Sequence, residues 1–404
     1  MQPDRQLAGR VIWCTRRRTT SIALTALLVL LMPWLTAFGT AATFREPGLL
    51  PGGPDEPPFT LSDLARLRSQ PAPPPIGARS AIVWDATNGV ELFSKAPDER
   101  IPPASTTKML TALLALELVP LGTRITIEQR DVSKPEDDES SMGLQAGELL
   151  TAEDLFYGAL LSSGGDAARA LARTAGATLL AGAAGNPLAR FMQEMNARVA
   201  RMKLPNTHFI NPDGGDAPGQ YSSARDLLQI ADAALKRPEF AAIVATKTAT
   251  RQTVNGSRTY ALENSNQLLP QRAGIHGVKT GTTDGCGQCL VAAQWGVGGR
   301  IIAVVLGSTD RYADTTILLD WVNAAYRWVP VGQGADLPGL ASALDRWQVA
   351  FRDRKLIVLQ AWEAPSLRYQ LLLEPGATGE ARGRVVFLIG VREVASVPVY
   401  AQNR

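Results

Sequence analysis

Pro102-Pro103-Ala104-Ser105-Thr106-Thr107-Lys108-Met109-Leu110 sets a serine and a lysine three residues apart at the entry to a helix-forming run. On a helix, positions i and i+3 share a face, so the lysine amine reaches the serine hydroxyl. The helix N-terminus adds positive potential where an oxyanion would form. A serine so placed is a candidate nucleophile that needs no histidine. The same residues admit a plainer reading, with Ser105 or Thr106 capping the helix and Lys108 a solvated surface charge. Two features favour chemistry. Of the eight lysines in the chain, only Lys108 has a serine three residues before it, and the arriving Pro-Pro-Ala restricts the approach to the helix.

Outward from this segment, 404 residues with 45% hydrophobic and 20% charged character have ordinary globular composition, enough for two domains plus extras. The formal charge is +3, but its origin is local. Arg5, Arg10, Arg16, Arg17 and Arg18 against Asp4 give residues 1–18 a net +4, and residues 19–42 carry no charge, which leaves the remainder at −1. A near-neutral body releases few counterions, so nucleic-acid binding loses its electrostatic support. The basic head precedes an apolar run, Ile22 to Phe38, interrupted by Pro33 and followed by Gly39-Thr40-Ala41-Ala42. This reads as an export signal over residues 1–43, cleaved near Ala41 or Ala42 or retained as an N-terminal membrane anchor. The expected location is therefore the periplasm or the outer face of the cytoplasmic membrane. Membrane association, if any, would run through this segment. Arg16-Arg17 only weakly resembles a twin-arginine signal, since Arg18-Thr19-Thr20 lacks the hydrophobic continuation.

Cys14 lies in the removed or cytoplasmic part, leaving Cys286-Gly287-Gln288-Cys289. No strand-then-helix context surrounds the pair, against a thioredoxin-like role. In extended chain, residues three apart point to opposite faces about 10 Å apart, beyond disulfide reach. Free thiols are expected, with a bridge only if a tight turn occurs there.

Prolines mark residues 44–75 as a linker, with a short helical stretch at Leu61–Leu67. Ala81–Asp85 and Val90–Phe93 flank Asn88-Gly89 and predict a hairpin leading to the Ser105 helix. Helical periodicity follows at Lys108–Leu118, Ala152–Arg173, Pro187–Met202 and Ala224–Ala234, then strands at Gln288–Trp295 and Arg300–Gly307 and a helix near Thr315–Trp328. Early and late strands are expected to share one sheet in an α/β layer domain over 76–330. After a linker at 331–342, alternation at Lys355–Trp362, Leu367–Glu374, Arg384–Ile389 and Val394–Tyr400, with turns at Pro375-Gly376 and Gly379, predicts a small β-domain over 345–404.

Two further segments join Ser105 and Lys108. Leu160-Leu161-Ser162-Ser163-Gly164-Gly165-Asp166 places a hydroxyl at the end of an apolar helix. Gly277-Val278-Lys279-Thr280-Gly281-Thr282-Thr283 puts a lysine, a hydroxyl and a glycine on a strand. There Lys279 and Gly281 share one face and Thr280 the other, while glycine on an edge permits close approach of a substrate backbone. The order Ser-x-x-Lys, Ser-x-x, Lys-Thr-Gly resembles the penicillin-interacting serine acyl enzymes, and among them the D-alanyl-D-alanine carboxypeptidases, the low-molecular-mass penicillin-binding proteins. Ser140-Ser141-Met142-Gly143, Thr207-His208-Phe209-Ile210-Asn211-Pro212-Asp213-Gly214 and Tyr221-Ser222-Ser223-Ala224-Arg225-Asp226-Leu227 extend the resemblance across about 79 to 328.

The resemblance implies an α+β fold of the β-lactamase/DD-peptidase type, an antiparallel sheet flanked by helices, and no cofactor or metal. It implies peptidoglycan stem peptides as substrate and β-lactam antibiotics as acylating ligands. Ser105 would attack the penultimate D-alanine carbonyl, and Lys108 would be general base, its pKa depressed by burial and by Lys279. Ser163 would relay a proton to the leaving amine. The N–H groups of Ser105 and Thr282 would form the oxyanion hole, and Lys279, Thr280 and Arg311 would hold the terminal carboxylate. One departure stands out: the family's second motif is usually Ser-x-Asn, whereas Gly165 occupies the asparagine position. That replacement motivates a different reading, a catalytically weak wall-binding scaffold. A β-lactamase would need a dedicated deacylating carboxylate, and Glu194-Met195-Asn196-Ala197 follows the carboxypeptidase pattern instead. His208 and His276 are the only histidines. Neither has metal-ligand spacing, and no Gly-x-Ser-x-Gly elbow accompanies them. The acidic run Glu136-Asp137-Asp138-Glu139 is expected to be a solvated loop rather than a cation site.

Overall fold

Strand Ser80–Asp85 sends alternate side chains to opposite sides, Ile82 into a large helical core and Ala81 and Val83 into a smaller one. That period-2 division organises the computed structural model, which describes residues 44–45, 60–134, 139–374 and 381–402. Five antiparallel strands lie in the order Val90–Lys95, Ser80–Asp85, Gly299–Ser308, Gly287–Gly296, Ile275–Thr283. The first hairpin thus pairs with a strand more than two hundred residues later, as the expected sharing of early and late strands requires. Gly89, at φ +71°, makes the tight turn of that hairpin, a backbone region open to glycine at no steric cost.

On one face of the sheet, helix Lys108–Leu118 is buried from Lys108 through Ala115, so it reads as apolar on all sides. Helices Ala152–Leu160, Gly165–Leu180, Pro187–Arg201 and Ala224–Leu235 enclose it. The other face packs Leu318, Leu319 and Val322 of helix Arg311–Ala325 against Val83, Leu290, Ala303 and Val305. At about 25 cal/mol per Å² of apolar surface removed from water, these two layers are the main favourable contribution to the fold.

Several local expectations change. The stretch Ala152–Arg173 is two helices, broken at Leu161–Gly164, where Ser163 adopts φ +64°. A Cβ on Gly164 would lie 2.9 Å from the Met142 amide nitrogen, so the chain must turn where a side chain would collide. The closing helix starts at Arg311, capped by Asp310, and ends at Ala325; Tyr326–Gly332 is instead a strand paired with Arg354–Gln360. Residues Leu340–Arg346, within and just past the expected 331–342 linker, form a helix.

The C-terminal strands Leu367–Leu373, Ala381–Ile389 and Arg392–Ala401 form an antiparallel sheet with Val349–Ala350 at one edge. Phe387, Val385, Leu371 and Val399 line its core. Within the stretch read as a linker, Phe44–Arg45 pairs with Leu372 and Leu373 of this sheet. Helix Leu61–Arg68, capped reciprocally by Thr60 and Asp63, donates from Arg66 to the Trp362 carbonyl at 3.3 Å and the Ser366 hydroxyl at 2.7 Å. Among the described residues no helix is long and apolar enough to cross a membrane. The expected export signal with Cys14, residues Glu136–Asp138 and the Pro375-Gly376 and Gly379 turns lie outside the described residues.

Candidate active site

Ser105 sits in a single 3-10 turn, Ala104–Thr107, that runs directly into helix Lys108–Leu118. In 3-10 geometry residues i and i+3 nearly eclipse, and the Lys108 amine donates to the Ser105 hydroxyl at 2.9 Å. A second bond from the amine to the Asp213 carbonyl, at 2.5 Å, fixes the lysine from the opposite side. The plainer reading of these residues fails: Ser105 caps nothing, Thr106 bonds back to the Pro103 carbonyl, and Lys108 is 2% exposed. Both residues line a cavity of about 1250 Å³.

Strand Ile275–Thr283 closes one side of that cavity as the last strand of the sheet. Lys279 is fully buried and its amine donates to the Thr280 carbonyl at 3.0 Å. A Cβ on Gly281 would lie 3.0 Å from the Ala104 Cβ and 3.1 Å from the Ser105 nitrogen. Glycine is what lets the strand press against the nucleophile turn. The Thr280 hydroxyl lies 2.6 Å from that of Ser265. From the start of helix Arg311–Ala325, Arg311 donates to the Gly281 carbonyl at 2.8 Å and to the Thr282 hydroxyl. Thr280, Gly281, Thr282, Ser163 and Arg311 all line the same cavity as Ser105.

Burial pushes the Lys108 amine down to about 8, with the Arg169 charge adding to the push while Asp213, Glu139 and Asp166 pull the other way. Burial likewise holds Lys279 well below the usual lysine range, reinforced by the charges of Lys108 and Arg311. The expected push of Lys279 on Lys108 is therefore seen on the other partner. Two neighbouring buried amines share protons as a pair, and charging one disfavours charging the other.

The side of the cavity around Ser163 is built differently. Asp166 accepts from the amides of Met142, Gly143 and Leu144 and from the Ser141 hydroxyl, tying segment 140–144 to the start of helix Gly165–Leu180. Arg169, one turn on from Gly165, donates to both oxygens of Glu139 at 2.6 and 3.0 Å and to the Asp213 carboxylate at 2.8 Å. Glu139 thus belongs to the cavity wall and is no solvated loop residue; its side chain is 17% exposed. The roles of Glu139, Arg169, Asp213 and Ser265 escaped the sequence reading because the pairs that define them are far apart in sequence, 30 residues for Glu139 and Arg169, 44 for Arg169 and Asp213 and 15 for Ser265 and Thr280. The sole local signal was an arginine four positions after Gly165, on the same helix face.

Cys286 and Cys289 are joined by a disulfide, against the expectation of free thiols. The hairpin pairs Thr283 with Gly287, so Cys286 lies in a tight turn and the extended geometry that would separate the sulfurs does not apply.

The profile described as D-alanyl-D-alanine carboxypeptidase matches residues 67–310. The chain is 32% identical over 263 residues to D-alanyl-D-alanine carboxypeptidase DacF of Bacillus subtilis, covering 63% of this chain and 64% of that relative. Its structure resembles the crystal structure of a Streptomyces DD-transpeptidase, with a TM-score of 0.58 and 33% identity, over 63% of this chain and all of that one. The D-alanyl-D-alanine carboxypeptidase DacD from Francisella tularensis, at 24% identity and a TM-score of 0.62, shares the fold across 83% of this chain and 95% of its own.

Proposed function

Because the chain belongs to the D-alanyl-D-alanine carboxypeptidase family, we propose that it is an exported serine D,D-carboxypeptidase that trims the terminal D-alanine from peptidoglycan stem peptides through an acyl-enzyme. The observation that carries this reading is the buried Lys108 amine 2.9 Å from the Ser105 hydroxyl. Neutral Lys108 takes the Ser105 proton as Oγ attacks the carbonyl carbon of the penultimate D-alanine. The N–H groups of Ser105 and Thr282 receive the oxyanion. Ser163 passes a proton to the departing D-alanine nitrogen, and water then cleaves the Ser105 ester, returning the proton to Oγ. Lys279, Thr280 and Arg311 hold the substrate carboxylate, whose charge favours protonated Lys279 and so keeps Lys108 neutral. Penicillins enter the same path and remain as a stable acyl-enzyme.

Incubation with a fluorescent penicillin tests the acyl-enzyme. Labelling of the wild type and none of Ser105→Ala is expected; undiminished labelling of Ser105→Ala would sink the mechanism. Release of D-alanine from a pentapeptide then separates an active enzyme from a wall-binding scaffold, the reading that Gly165 motivates. The proposed location is the periplasm or outer face of the cytoplasmic membrane. Protein starting near residue 44 is expected to be soluble, and its recovery with membranes would contradict attachment through the N-terminal segment.

A further inference from the structure

The second motif lacks a side chain at residue 165, and another residue stands in its place. A Cβ on Gly165 would lie 2.1 Å from Glu139 Oε2 and 2.6 Å from its carboxyl carbon. The Glu139 carboxylate therefore occupies the position where a side chain on residue 165 would begin. It is locked there. The Ser133 hydroxyl and Arg169 Nη2 donate to Oε1, both at 2.6 Å, and Arg169 Nη1 donates to Oε2 at 3.0 Å. Segment 140 is pinned alongside by the Gly165 amide donating to the Ser140 carbonyl at 2.9 Å. Arg169 continues to Asp213, whose carbonyl holds Lys108. Glu139 lines the cavity together with Ser105, Lys108 and Ser163.

We propose that Glu139 is the substrate-facing polar group of the second motif in this protein, a specificity-determining residue that accepts a hydrogen bond from an N–H donor of the bound peptide. The proposal rests on the D,D-peptidase reading above. A carboxylate offers about four acceptor sites and no donor, and the three donors it meets among the described residues leave one site, on Oε2 beside Gly165. An asparagine amide both donates and accepts, so exchanging it for Glu139 removes a donor and adds a negative charge. Substrates that present an amide N–H or an ammonium at this wall are favoured, and groups that offer only acceptors are disfavoured.

The test is a double-mutant cycle in the full chain, read as the penicillin acylation rate and as kcat and KM for D-alanine release. Gly165→Asn alone forces its side chain into the carboxylate and is expected to slow acylation about tenfold or more. Glu139→Ala alone removes the acceptor and is expected to raise KM about tenfold with a smaller change in kcat. Gly165→Asn combined with Glu139→Ala restores an amide to the vacated space and is expected to return acylation to within about threefold of wild type. Glu139→Gln keeps the shape, so it folds if the other variants do not. Losing its charge moves the midpoint of the acylation pH profile downward, because the Glu139 charge holds up the Lys108 pKa. Pentapeptides with a free or an acetylated lysine amine separate the two donors. A wild-type preference for the free amine that vanishes in Glu139→Gln assigns the ammonium, and equal use assigns a backbone N–H. Additive losses in the double variant, or an unchanged KM in both Glu139 variants, would overturn the proposal. Failure of the wild type to react with penicillin at all would instead remove the D,D-peptidase reading beneath it.

Discussion

The two walls of the active-site cavity are held in place by opposite means. On the Ser105 wall, position is set by missing side chains: Gly281 lies against Ala104 and Ser105, and a Cβ on Gly214 would stand 2.0 Å from the Ala104 carbonyl oxygen. Backbone touches backbone, leaving little room for exchange. On the Ser163 wall, position is set by charge, with Arg169 clamping Glu139 and Asp213, and Asp166 gathering segment 141–144. A polar network can admit a substitute from another segment if its donors and acceptors still match. The first wall, which holds Ser105 and Lys108, is packed backbone against backbone; the second is held by ion pairs and admits a substitute more readily.

The strongest challenge to this contrast is Ser105→Ala, which is expected to reduce acylation by about 10⁴-fold or more, measured with labelled penicillin. Next, Lys108→Met removes the base and is expected to slow acylation about 10³-fold. In the wild type only the neutral amine accepts the proton, so the acylation rate should climb with pH through a midpoint near the Lys108 value of about 8. The rate should fall away as acid protonates the amine. A flat profile from pH 6 to 9 in stopped-flow acylation would assign the base elsewhere.

Gly281→Ala tests the rigid wall without touching a reactive group. Its methyl would push the strand off Ala104, and a loss of about 10- to 100-fold in kcat/KM is expected with little change in melting temperature. On the charged wall, Arg169→Met leaves Glu139 and Asp213 facing each other without their shared cation. It is expected to lower stability by about 2 kcal/mol, read as a shift in Tm, and kcat/KM about tenfold. An equal effect of both substitutions on Tm would erase the distinction between the walls. Smallest of all is reduction of Cys286–Cys289, which closes so short a loop that about 2 kcal/mol or less is expected from urea unfolding.

Much of the first wall was legible because the residues within each of its motifs are close in sequence. Ser105 and Lys108 are one turn apart, and a helical period alone brings them together. The hairpin, the Lys108–Leu118 helix and the late strands followed from apolar periodicity and from Asn88-Gly89. Boundaries failed where tertiary contacts overrode local pattern. The break at Leu161–Gly164 coincides with Ser162-Ser163-Gly164-Gly165, inside the helical stretch expected over Ala152–Arg173, and a Cβ on Gly164 would collide with Met142 and Asp166. Tyr326–Gly332 extends a helical pattern but pairs with Arg354–Gln360, a partner that no local window contains. Cys286 was misjudged for a related reason, since the hairpin register alone decides which residues form the turn.

By itself, the sequence determined the family and singled out Ser105, Lys108 and the Lys279-Thr280-Gly281 strand as its candidate site, because each motif is a local spacing with a direct chemical meaning. It also showed an absence at Gly165. Only the tertiary structure decided what fills that absence. Glu139 reaches Gly165 across 26 residues through an arginine that no spacing rule selects, and a carboxylate becomes part of a site only when packing brings its cation and its cavity to the same place.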